Sequence, residues 1–202
     1  MEIESFEKYL EHLGVDFTSH ELFVLLYITR ASTIGKLTRK DFIEGWVDAY
    51  HTDNVKPDLA SQRQYVRACI GKFSKDKEFF KKVYRHAFTT GREEAQKALD
   101  KDTAVAFWEG LFGPDGHPWR SKHVDWLSVW KEFLAEKWTR SVNKDMWNQT
   151  LVFADKTMQD ETLGFWSEDD SWPGVIDDFV AWCKANGHVK APVGGEGMEV
   201  DN

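Results

Sequence analysis

Residues 145–183 read DMWNQTLVFADKTMQDETLGFWSEDDSWPGVIDDFVAWC, and their apolar spacing is helical. One helix runs from near Asn143 to about Met158. A second opens with Ser171 as N-cap and Pro173 in its first turn, and ends before Gly187. Between and within them stand nine acids (Asp145, Asp155, Asp160, Glu161, Glu168, Asp169, Asp170, Asp177, Asp178) against one base, Lys156. That difference, −8, is the formal net charge of the whole 202-residue chain, so the other acids and bases cancel. Four of the ten tryptophans share the stretch, which makes a solvated acidic tail untenable. It reads as a folded, acidic, aromatic-rich surface suited to a basic protein partner.

Moving outward, almost every segment keeps the helical period. Val124–Trp138 places Leu127, Trp130, Phe133, Leu134 and Trp138 on roughly one face. Gly113-Pro-Asp-Gly116 is a strong turn signal before it. Helices are expected over Thr103–Phe112, Phe79–Phe88 and, after the break at Pro57, Leu59–Phe73. Thr38-x-x-Asp41 has the form of a cap leading into Phe42, Trp46 and Ala49. Thr18-Ser-His-Glu21 has the form of a capping box opening a helix through Leu22, Leu25, Leu26 and Thr29. No run alternates as a strand flanked by hairpin turns. The expected fold is all-α, a compact multi-helix domain of eight to ten helices over residues 1–186, with a disordered tail over 187–202.

Composition excludes several functions. The acidic charge argues against nucleic acid, which needs clustered Lys and Arg. No apolar run approaches the ~18 residues of a membrane span. Two cysteines, Cys69 and Cys183, without metal-like spacing or a signal-like start suggest a reduced intracellular compartment. The seven histidines are scattered, no phosphate-cradling glycine loop is present, and no Gly-x-Ser-x-Gly elbow appears. The pairs Asp169–Asp170 and Asp177–Asp178 do not make a glycosidase site, because adjacent carboxylates on a helix point apart. Neither catalysis nor a cofactor is supported.

Arg30–Asp41 has the length and setting of an EF-hand loop, with Gly35 at the sixth position, Leu37 at the eighth and Asp41 at the twelfth. Positions one, three and five are Arg30, Ser32 and Ile34, so the oxygen ligands that calcium requires are missing. The reading is an EF-hand-like unit without calcium ligands.

At Lys144-Asp145-Met-Trp147 and Ser171-Trp-Pro-x-x-Ile-Asp-Asp-Phe-Val180 the chain resembles the defective-in-cullin-neddylation family, specifically its potentiating-neddylation domain. Weaker similarity runs back through Leu99-Asp100…Ala106-Phe-Trp108 and Leu37-Thr-x-x-Asp-Phe-x-x-Gly45, covering about residues 1–186. The resemblance implies an all-helical domain with EF-hand-like units that bind no calcium. It implies a non-catalytic scaffold, a co-ligase for attachment of a ubiquitin-like modifier to cullins, acting in nucleus and cytoplasm. The N-terminal ubiquitin-associated domain of many relatives is not found in the sequence.

Two surfaces follow from the resemblance. An acidic patch for the cullin C-terminal winged-helix domain maps to Asp145, Ser171 and Asp177, with Trp147 and Trp172 beneath it. Ser171 departs from the family's alanine by one hydroxyl. A hydrophobic pocket for the acetylated N-terminal methionine of the conjugating enzyme maps to Ile3, Phe6, Leu10, Phe17, Thr18, Leu22, Phe23, Leu25, Ile34, Leu37, Thr90, Phe107 and Gly110. Ile34 replaces a glutamine of some relatives and Thr90 an aromatic. The cullin RING subunit is a further implied partner. The competing reading is a generic EF-hand-like interaction module for another basic protein, unrelated to conjugation.

Overall fold

The computed structural model describes residues 3–92 and 95–189, leaving the side chain of Ile3 outside the description. Most of the expected tail, residues 190–202, lies outside the described residues. Nine helices occur among those described, in the order α1 (Ile3–Leu13), α2 (Glu21–Ile28), α3 (Arg39–Asp53), α4 (Leu59–Phe73), α5 (Lys77–Thr90), α6 (Lys101–Phe112), α7 (Trp126–Lys137), α8 (Lys144–Thr157) and α9 (Gly174–Ala185). The fold is all-α. Two strands of two residues each, β1 (Ala98–Leu99) and β2 (Val142–Asn143), pair antiparallel with Leu99 opposite Val142.

The helix starts explain why the elements lie where they do. Asp58, Asp76, Asp100 and Asp125 cap α4, α5, α6 and α7 in turn, each carboxylate accepting a backbone N–H of the first turn. Hydrogen bonds from Ser61 and from Thr103 hold the Asp58 and Asp100 carboxyls below the usual range. Thr38 caps α3 by accepting from Asp41 N–H at 3.0 Å, as its spacing predicts. The expected capping box at Thr18 is replaced by another arrangement. The Thr18 hydroxyl donates to Asp16 Oδ1 at 2.7 Å, Ser19 Oγ accepts from Glu21 N–H, and Glu21 Oε2 accepts from Asp16 N–H. Asp16 is the better acceptor and lies two residues away, so it captures the hydroxyl.

The contacts divide the chain into two units, residues 1–118 with 139–148, and residues 119–138 with 149–202. In the first unit α2 is central and packs on α3, α4 and α5. Phe23, Val24, Leu25, Leu26 and Ile28 are all buried, as befits a helix that is apolar on every side. Close approach of α3 requires Gly45: a Cβ there would lie 2.3 Å from the Ile28 carbonyl oxygen. In the second unit α7 packs on α9, with Trp130 and Phe133 against Phe179. Each unit holds one free, buried cysteine, Cys69 and Cys183.

Candidate functional site

The start of α8 is built on an indole. Trp147 is fully buried, stacked on Tyr84 at 4.5 Å and on Trp108 at 5.2 Å. Its N–H donates to the Tyr84 carbonyl at 3.0 Å, while the Tyr84 hydroxyl donates to the Trp147 carbonyl at 2.9 Å. Trp108 N–H donates to that same hydroxyl, so all three polar groups of the stack are satisfied inside an apolar core. Asn143 Oδ1 accepts from Met146 N–H at 2.8 Å and closes the helix start. Asp145 therefore stands exposed in the first turn of a rigid helix, where the dipole favours its charge.

The second unit holds Ser171 and Asp177. Ser171 is exposed and does not cap α9; Pro173 occupies that position and no side chain caps the helix. The Trp172 N–H donates to the Asp170 carbonyl at 2.9 Å, a tight turn around Ser171 that leaves it two residues short of the capping position. Asp177 is half-buried in the first turn of α9. Its Oδ1 accepts from the Trp166 indole N–H at 3.0 Å. Trp172 instead packs against Phe153 and Phe165. The tryptophan that holds Asp177 is thus Trp166, eleven residues away along the chain, and sequence spacing gave no sign of it.

The nine acids do not act as one surface. Asp160 accepts from both the N–H and the hydroxyl of Thr162. Glu161 accepts from Ser121 Oγ at 2.6 Å and from His123 N–H at 3.2 Å, and meets His123 Nδ1 at 2.5 Å. The Ser121 and His123 hydrogen bonds lower its carboxyl to about 2. These two acids are structural ties within their unit. Asp145, Glu168, Asp169, Asp170 and Asp178 are exposed, and Asp155 and Asp177 are half-buried. The aromatics likewise divide: Trp147 and Trp182 are buried, Trp166 and Trp172 half-buried.

The residues assigned to the apolar pocket all lie in the first unit. Phe6, Leu10, Phe23, Leu25, Leu37, Thr90 and Phe107 are buried, Leu22 and Gly110 half-buried, and Phe17, Thr18 and Ile34 exposed. Ile3 cannot be placed with them, since its side chain lies outside the described residues. Phe23 and Phe107 meet edge to face at 4.9 Å, and a Cβ at Gly110 would come within 2.8 Å of the Phe23 ring. Ile34 N–H donates to the Thr90 carbonyl at 3.2 Å, which joins the loop after α2 to the end of α5. Arg30, at the loop position where calcium would need an acid, is paired with Glu44 and Asp48 of α3. An open groove of about 580 Å³ runs elsewhere in this unit, along Phe42, Ile43, Trp46, Val47 and Tyr50 of α3. It shares no residue with the assigned pocket.

The family model described as cullin binding matches residues 61–182. The defective in cullin neddylation protein 1 of Pyricularia oryzae is 42% identical over 205 residues, covering 96% of this chain and 70% of that protein. The protein of the same name from Yarrowia lipolytica is 28% identical, covering 88% of this chain and 68% of its own. DCN1-like protein 5 of Rattus norvegicus is 30% identical, over 90% of this chain and 70% of its length. The match defines a cullin-binding class of helical protein. Within it, the chain belongs to the defective-in-cullin-neddylation family.

Proposed function

We propose that this protein serves cullin neddylation as a scaffold-type co-ligase, with a cullin as its partner. Family membership supports the coarse role; the observation that carries the finer one is the display of Asp145 and Asp177 in the first turns of α8 and α9. Asp145 stands on a helix start locked by the buried Trp147, Asp177 is held by the Trp166 indole, and carboxylates so displayed complement a basic winged-helix end of the cullin. The thioester chemistry belongs to the conjugating enzyme, and the scaffold contributes proximity and orientation. Cullin and conjugating enzyme held on one scaffold chain react at an effective concentration of roughly millimolar or above.

The second surface receives the conjugating enzyme's acetylated N-terminus around Phe23, Phe107 and Gly110. Acetylation removes the terminal charge, so the methionine enters apolar surroundings without burying an ammonium. Nucleus and cytoplasm are the compartments this role implies.

Calorimetry with a cullin C-terminal winged-helix domain tests the proposal. Asp177→Arg is expected to weaken binding by about 2–5 kcal/mol, the range for a desolvated charge pair turned repulsive. Unchanged binding moves the cullin site away from α9. Failure of the wild type to bind at all favours an interaction module for some other basic protein.

A further inference from the structure

Asp177 and Lys184 stand seven residues apart on α9, two turns along one face. The Trp166 indole bridges them. Its N–H donates to Asp177 Oδ1 at 3.0 Å, and Lys184 Nζ lies over its ring 4.4 Å from the centroid. An indole N–H donates and never accepts, so it engages the carboxylate oxygen, and no ammonium or guanidinium can take that oxygen's place at the nitrogen. The ammonium over the ring draws electron density toward itself, which strengthens the N–H as a donor. It also parks the nearby positive charge of α9 on an aromatic face.

The indole is not a loose surface group. Its own backbone N–H donates to the Leu163 carbonyl at 3.1 Å. Leu163 adopts φ +58° and is buried, plugging the turn into the core of its unit. The preceding Phe165 packs on Phe153 and Trp172, with Lys156 over its ring at 5.3 Å. Trp166 thus enters with a fixed backbone, and the carboxylate it meets is half-buried while the adjacent Asp178 is exposed.

We propose that Trp166 is the positioning residue for the Asp177 carboxylate: it occupies one oxygen, fixes the side-chain rotamer, and leaves the other oxygen aimed at the partner's basic group, with Lys184 clamping the indole from its face. The inference rests on the partner-binding role proposed above for Asp177. Without the indole N–H, Asp177 regains rotamer freedom and must be ordered again on each binding event.

Two measurements test it. In ¹H–¹⁵N spectra of the free protein, the Trp166 indole resonance is identified by its disappearance in Trp166→Phe. That resonance is expected to move in Asp177→Ala, which removes the acceptor; a resonance that stays in place overturns the inference without reference to any partner. By calorimetry, Trp166→Phe is expected to weaken winged-helix binding about fivefold. In the Asp177→Asn background the same change is expected to cost nothing further. Equal losses in both backgrounds would mean a general structural role and overturn the inference. So would wild-type affinity in Trp166→Phe while Asp177→Asn is impaired, which leaves the proposed function standing. Wild-type affinity in Asp177→Asn removes the function proposed for that carboxylate, and the inference with it.

Discussion

The two acidic helix starts are supported in opposite ways. At α8 the tryptophan carries the backbone: Trp147 is locked between Tyr84 and Trp108, and no side chain among the described residues holds the Asp145 carboxylate. At α9 the tryptophan carries the carboxylate: Trp166 bonds Asp177 directly, while the helix start has no side-chain cap. An acid fixed only through its backbone offers charge, felt at a distance and screened by salt. An acid fixed through its oxygen offers a direction. Sequence proximity of acid and tryptophan does not distinguish the two, because Asp145 and Trp147 are two residues apart and yet Trp147 is fully buried in its stack while Asp145 is exposed.

The sharpest way to break this contrast is to remove the buried indole. Trp147→Ala empties a fully buried site and takes the indole N–H away from the Tyr84 carbonyl, so it is expected to cost about 3–5 kcal/mol of stability by chemical denaturation. A loss under about 1 kcal/mol would mean that the α8 start does not depend on the stack.

Gly45→Ala follows in size. Its Cβ would meet the backbone of Ile28 and Thr29, which cannot swing aside, and about 1–3 kcal/mol of destabilisation is expected. This change acts on the α2–α3 contact within the first unit, and a winged-helix affinity that fell with it would tie the site to α2–α3 packing.

In the second unit, the tie of Glu161 to Ser121 and His123 titrates. Its folded carboxyl lies near 2, below the ordinary 4.5, so the stabilisation is fully present above the ordinary value. It is lost as pH falls from there through about 2. Glu161→Gln is therefore expected to lower the melting temperature at pH 7, with the gap to wild type closing toward pH 2. A gap that persists in acid would show that the tie is not carried by the ionised form.

The smallest effects come at the exposed start of α8. Asn143→Ala removes the bond to Met146 N–H and is expected to cost about 1 kcal/mol. Asp145→Asn is expected to cost about 0.3–1 kcal/mol at low salt and less at high salt, as a charge on a helix dipole should. A salt-independent loss would place Asp145 in a contact like that of Asp177.

Helix existence was legible from spacing, and α4 begins and ends where its pattern begins and ends, at Leu59 and Phe73. The starts of α5 and α6 come two residues earlier than apolar spacing suggests, because Asp76 and Asp100 cap them and the first turn is polar. The same logic fails in the other direction at α7, which starts at Trp126 behind the cap Asp125. Ser171 and Thr18 look like caps by type, yet neither caps a helix, since a local turn at Asp170 and a local acceptor at Asp16 compete for the same chain. Two-residue strands are shorter than any alternation that could reveal them. At the site, the identities of Asp145 and Asp177 came from a motif, but the support beneath Asp177 depends on a loop that folds Trp166 back over α9, and no linear pattern encodes that return.

One consequence concerns the two thiols. Cys69 on α4 and Cys183 on α9 lie one in each unit, both free and buried. Burial raises both thiols, that of Cys183 to about 12, so neither reacts while its surroundings stay closed. With no other cysteine in the sequence, a thiol-specific mass tag becomes a clock with two separate hands. The label on each peptide counts how often its own unit opens, in the same tube and without any mutation.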